Sequence, residues 1–224
     1  MRFTEIKCID DMHRLIKELG FLPFFKNRVE GFSVEENIAP ELWFGDNADG
    51  PWEWKGPLIR RGDIVYGKFI SNRAMFVSLD KFPEFANIRR DGYDFDALFD
   101  DGKAPVKDKN LFDIVWKNGS IMTRALKEAG NYKKDGNKGF DGIINRLQMQ
   151  TYICIADFEM AKTKDGREYG WGIARYSTPE YLYGENIMSE AYKHEADESR
   201  EIILSQLKTI LPDVKEAKLR AIIR

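Results

Sequence analysis

Leu111 to Ser177 reads LFDIVWKNGSIMTRALKEAGNYKKDGNKGFDGIINRLQMQTYICIADFEMAKTKDGREYGWGIARYS, and its punctuation decides the fold. Leu111–Lys117 has the composition of a helix, and Asn118-Gly119 supplies the left-handed stop that helices favour. Ser120-Ile121-Met122 is a short extended link. Thr123 stands where it would cap a second helix, Arg124–Ala129, which Gly130 closes. The polar turn NYKKDGNKG leads into Phe140–Gln150, where Phe140, Ile143, Ile144 and Leu147 recur at i, i+3, i+4 and i+7. Tyr152–Met160 and Arg167–Tyr176 read as strands, joined by Thr163-Lys164-Asp165-Gly166 with its Asp-Gly hairpin signal. Helix, link, helix, turn, helix and hairpin, in that order, predict a winged helix–turn–helix over residues 111–177 of an α+β chain.

Working outward, Ile9, Met12, Leu15, Ile16 and Leu19 mark one face of a helix over 9–19 that Gly20 stops. Ser33-Val34-Glu35-Glu36 has capping-box spacing and predicts a short helix, while residues 45–51 are a loop by composition. Ile64–Ile70 and Ala74–Leu79 predict a hairpin turning near Asn72. A helix start follows at Asp80–Asn87, with Pro83 tolerated in its first turn, then a short helix near Phe95, then a linker at Gly102–Lys109. The helix–helix–hairpin order within residues 1–105 is also that of a second, divergent winged helix. Ser189–Leu211 predicts one long helix with Tyr192, Ala196, Ile203, Leu207 and Ile210 on a face, and Val214–Ile223 a last one beyond Pro212. Residues 187–224 are thus expected to pack on the winged helix, or to offer a surface for self-association.

Among the chain's 224 residues, 43% are hydrophobic and 32% charged, the mix of a globular protein with a sizeable core. No apolar run reaches the ~20 residues of a membrane span, and MRFTEIKCIDD lacks the apolar core of a secretory leader. Cys8 and Cys154 make neither a metal spacing nor a disulfide framework, so the expectation is a cytoplasmic protein with reduced thiols. The net charge of −2 excludes indiscriminate coating of nucleic acid. Its distribution is uneven: residues 117–176 hold eleven Lys/Arg against seven Asp/Glu, and residues 80–101 hold seven acids against three bases.

The basic excess falls on the predicted winged helix, whose third helix would lie in a major groove. There Asn145 suits adenine and Arg146 suits guanine. Lys133, Lys134 and Lys138 before that helix, with Lys162, Lys164 and Arg167 on the wing, are placed for phosphates. DNA is the expected partner. A non-catalytic module for protein–protein contact and a ligand-responsive transcriptional regulator are the alternatives. Trp52, Trp54, Phe24 and Phe25 read either as core or as a pocket whose rings stack on a flipped base.

The triplet Gln148-Met149-Gln150, preceded by Leu147, has the spacing of a Gln-apolar-Gln motif. With it, Tyr66-Gly67-Lys68-Phe69 and Val77-Ser78-Leu79-Asp80-Lys81-Phe82 look like a basic strand followed by an acid-bearing helix start. On these residues the chain resembles the AlkZ-like tandem winged-helix bacterial DNA glycosylases, which act in DNA repair on alkylated or crosslinked purines. The resemblance implies that Gln148 or Gln150 positions water and steadies the sugar's developing positive charge as the base departs. Read from the helix alone, Gln148 is exposed and Gln150 caps the helix end. No cofactor and no metal are expected: the aspartates of 91–101 miss the EF-hand spacing, and no glycine pattern opens a helix as a phosphate loop. His13 and His194 support no nucleophile–base arrangement.

Overall fold

The computed structural model describes residues 3, 5–44, 49–163 and 165–223, with the side chains of Phe44, Lys162 and residues 168–171 left aside. Within it the chain runs α1 (Ile9–Leu19), β1 (Phe21–Pro23), α2 (Val34–Asn37), α3 (Pro40–Phe44), α4 (Pro51–Arg60), β2 (Ile64–Ile70) and β3 (Arg73–Ser78). Two connecting helices follow, α5 (Phe82–Arg90) and α6 (Phe95–Asp100). Then come α7 (Val106–Asn118), β4 (Ser120–Met122), α8 (Thr123–Ala129), α9 (Phe140–Met149), β5 (Cys154–Lys162) and β6 (Glu168–Ser177). The chain closes with α10 (Pro179–Tyr183), α11 (Glu185–Ser189), a 3-10 turn at Glu190–Tyr192, α12 (Ala196–Ile210) and α13 (Glu216–Arg220).

One antiparallel sheet of six strands, ordered β1-β3-β2-β5-β6-β4, holds these elements together. Its order is symmetric about the β2–β5 junction, where Tyr66 faces Ile155. On each side a helix ends in a glycine at positive φ, Gly20 at 74° or Gly119 at 66°. A three-residue strand follows, β1 on β3 with Phe21 opposite Val77, or β4 on β6 with Ile121 opposite Tyr176. Further helices and a hairpin complete each half. The same order and the same pairing of short strand to second hairpin strand therefore occur twice, over residues 9–78 and 106–177.

Local chemistry explains the elements. α1 buries Met12, Leu15, Ile16 and Leu19, each burial contributing about 1.5–3 kcal/mol. Gly20 then donates its N–H to Ile16 O at 2.8 Å and turns the chain into β1. The β2–β3 hairpin turns through Ser71 and Asn72 at φ 47° and 59°, the doubly left-handed turn that matches strand twist. α9 buries Phe140, Ile143, Ile144 and Leu147 as its periodicity required.

Several expectations are corrected. Half of the expected linker is helix: α7 begins at Val106, behind Pro105 in the N-cap position. Thr123 is the first residue of α8, not its cap, and its hydroxyl donates to Ala174 O at 2.6 Å. The single helix expected over 189–211 is broken at Lys193–Glu195, where Glu195 and Glu198 form a capping box that starts α12. Tyr192 is consequently exposed, and the buried face of α12 is Ser199, Ile203, Leu204 and Leu207. α12 packs on α5, where buried Asn87 donates to His194 O at 2.7 Å and Ser199 Oγ at 2.8 Å. α3 and α4 form where no helix was expected. No helix among the described residues is long and apolar enough to cross a membrane.

Candidate functional site

The Gln148–Gln150 triplet ends α9, and three contacts fix it. Gln148 is fully buried, which corrects the expectation of an exposed side chain. Its Oε1 accepts the Lys68 N–H at 3.0 Å and its Nε2 donates to Ile144 O at 3.3 Å. The resembling segments, eighty positions apart, thus meet: the amide of the triplet is seated on the Tyr66–Phe69 strand. Met149 turns outward, where its Sδ accepts the Asn72 N–H at 3.4 Å. Gln150 occupies the C-cap with φ −85°, and its half-buried side chain makes no hydrogen bond to the described residues.

Arg90 holds the chain just beyond the triplet. It lies at the end of α5, its side chain 1% exposed, and donates to Thr151 O at 2.8 Å, Glu180 Oε1 at 2.6 Å and Tyr192 Oη at 2.9 Å. Burial alone would lower its pKa, but the charges and hydrogen bonds of Glu180 and Tyr192 outweigh that and raise it. Thr151 needs such anchorage because its φ is 64°, a conformation costing about 1–3 kcal/mol for a branched residue. Asp80, at the acid-bearing helix start, pairs with Lys17 at 3.2 Å and with the Ser78 hydroxyl. Desolvation pushes its pKa up, yet Ser78 and Lys17 bring it below the ordinary value.

The residues expected to meet DNA are less free than their positions suggested. Arg146 does not stand open to a base: its Nε and Nη2 each donate to Asp108 at 2.6 Å. Asp108 is buried in the first turn of α7, so it captures the guanidinium. Lys133 pairs with Glu128 at 2.6 Å and Arg167 with Asp165 at 2.7 Å. Lys134 and Lys138 are exposed without a carboxylate partner among the described residues, and Asn145 is half-buried. Lys164 lies outside the described residues; Lys162 ends β5 opposite Glu168.

The four pocket aromatics do not line one pocket. Phe24 and Trp54 are core, with Trp54 Nε1 donating to Asp49 at 2.7 Å. Phe24 is the hub of a ring cluster, with Phe25, Trp43 and Trp52 centred 5.1, 5.1 and 5.0 Å away. Half-buried Trp52 lines a cleft of about 410 Å³ with Lys55, Arg60 and Phe158. There the Lys55 ammonium lies 4.9 Å from the Trp52 ring and 4.6 Å from the Phe158 ring. Burial brings its pKa down to about 8 despite nearby Glu53. Half-buried Phe25 lines a different cleft of about 650 Å³, shared with Met149.

Sequence reasoning missed Asp108 and Arg90, and also the cations Lys26, Arg28, Arg73 and Lys218 that line the Phe25 cleft. The last four come from three distant segments and carry no joint signal. No group of metal-ligating side chains is found among the described residues.

Comparison with known protein families matches the family model described as AlkZ related over residues 6–224. No curated protein and no solved structure matches the chain. The helix-end Gln148 seated on the Tyr66–Phe69 strand is therefore a feature of a chain that belongs to the AlkZ-related family.

Proposed function

We propose that the chain is a cytoplasmic nucleic-acid-binding protein built on two winged helices, residues 9–78 and 106–177, and related to the AlkZ-like DNA glycosylases. The observation that carries this reading is the hydrogen bond from Lys68 N–H to Gln148 Oε1, which joins the two segments of the resemblance. It also divides their roles. Gln148 has its carbonyl and one amide contact committed inside the protein, so it positions the helix end. Gln150 is the member of the triplet whose side chain can meet a ligand. If a base is released, the glycosidic bond breaks with its electron pair leaving on the base. The N-alkylated purine, cationic before cleavage, leaves neutral; water, oriented by a hydrogen bond to the Gln150 carboxamide oxygen, then adds at the sugar carbon and releases its proton to solvent.

Anisotropy of a labelled DNA duplex at low salt tests the binding. Base release from an alkylated duplex tests the chemistry: Gln150→Ala is expected to abolish release while leaving affinity within about twofold. Release unchanged in Gln150→Ala would remove the glutamine from the mechanism.

The ligand-responsive alternative draws on a cleft of about 330 Å³ walled by Phe95, Phe112, Trp116 and Tyr152. Its lining also contains five carboxylates against the single guanidinium of Arg90, a setting for an aromatic cation. A rise in melting temperature with an N-methylquinolinium salt would support this reading, and no rise at millimolar concentration would end it.

A further inference from the structure

Among the described residues, uncompensated positive charge gathers in a cleft away from the α9 face. The cleft of about 650 Å³ shared by Phe25 and Met149 is lined by Lys26, Arg28, Arg73 and Lys218 and, among the described residues, by no carboxylate. All four cations are exposed, and none forms an ion pair among the described residues. Glu35, in α2, accepts the Lys26 backbone N–H at 2.9 Å. Arg73 donates to Lys26 O at 3.2 Å, which ties the β2–β3 turn to the 23–29 loop. Beside the Ile70 and Ile222 walls lies a fifth cation, Arg89, whose guanidinium donates to Phe69 O at 2.8 Å and Ile222 O at 3.4 Å. Among the described residues no carboxylate neutralises it and its buried Nε has no partner, and burial lowers its pKa to about 10. Like charges gathered this way repel one another and store a positive potential that an incoming anion relieves.

We infer that this cleft, and not the exposed end of α9, grips one strand of nucleic acid. The inference rests on the nucleic-acid reading above and locates its surface. Phosphates take the four cations, the guanidiniums through paired N–H donors. Phe25, held edge-on by Phe24 and Trp43, adds an aromatic wall, and Met149 brings the glutamine helix end to the same place. A cationic groove with an aromatic ring is how proteins hold a single strand without reading its sequence. An acidic peptide would use the cations but gain little from the ring. The volume falls in the range of about 300–1,000 Å³ typical of ligand sites.

The test compares wild type, Arg28→Ala/Lys218→Ala and Lys134→Ala/Lys138→Ala for binding to labelled single-stranded and duplex oligonucleotides across salt. None of these four side chains makes a hydrogen bond or ion pair among the described residues, and matching melting temperatures confirm intact folds. The cleft variant is expected to flatten the slope of log affinity against log salt by about 1.4 on single strands, with the helix-end variant unchanged. A flattening confined to the helix-end variant would overturn the cleft and keep the nucleic-acid reading. No oligonucleotide binding by wild type at low salt would overturn both. Cleft-dependent binding of polyglutamate without oligonucleotide binding would assign the surface to an acidic polypeptide instead.

Discussion

In the first unit α4 ends at Arg60, which reaches across the sheet junction to pair with Asp157 on β5 at 2.5 Å. In the second, α9 ends at Gln150, and its Gln148 reaches the other way to the backbone of β2. Each helix thus leans on the first hairpin strand of the opposite unit. The two contacts differ in burial: the Arg60 pair is open to solvent, while the Gln148 amide is sealed. The interiors differ too. Phe24 gathers Phe25, Trp43, Trp52 and Phe76 around one ring in the first unit, whereas the second buries Leu111, Val115, Ile143, Ile144 and Leu147 beside the separate Phe112–Tyr152 and Tyr132–Phe140 ring pairs. A rigid aromatic base on one side and a locked helix end on the other place Met149, the residue before Gln150, at the rim of the basic cleft. Repetition of the scaffold is what lets one half specialise in support and the other in presentation.

The sharpest way to break this contrast is at the ring cluster. Phe24→Ala should lower unfolding free energy by about 3–5 kcal/mol, read from the urea midpoint. A loss below about 1 kcal/mol would mean that the cluster is not the base of the first unit. Next in size are the ion pairs. Arg146→Ala strands a carboxylate only 1% exposed and should cost about 1–3 kcal/mol, the guanidinium's own 45% exposure limiting the loss. Arg60→Ala, at an open pair, should cost at most about 1 kcal/mol. Equal losses in chemical denaturation would erase the asymmetry. Between these two lie the glycines that end the first helix of each unit. Gly20→Ala should cost about 1–2 kcal/mol in thermal melts. Gly119→Ala should cost somewhat more, since its ψ of −53° lies outside the left-handed helical well. A free substitution at either would deny that the units turn alike.

How much could be read in advance follows the same division. Asn118-Gly119, Gly130 and Asp165-Gly166 punctuate the second unit with residues whose backbone preferences are local, so its order was legible. In the first unit the 45–51 stretch reads as a loop, and no helix was expected through Pro40, Pro51 or Pro57. Yet Pro40 and Pro51 begin helices, and α4 accommodates Pro57 because Trp54, Leu58 and Ile59 are buried by the rest of the chain. Burial of that kind is a tertiary effect that no window of sequence contains. The site failed for a related reason. A helical wheel treats α9 as having one covered face, but β2 covers a second, which is why Gln148 is buried. Arg146 lost its expected freedom to Asp108, which stood in a presumed linker. The cations of the cleft, at positions 26, 28, 73 and 218, become neighbours only when the β2–β3 turn and the C-terminal segment meet.

The slope of log affinity against log salt for a labelled single-stranded oligonucleotide bears most directly on the claim that this family member grips nucleic acid with unpaired cations. Four phosphate contacts predict a slope of about −2.8, with affinity collapsing between about 50 and 200 mM salt. A slope near zero, or no binding at the lowest salt, would contradict it.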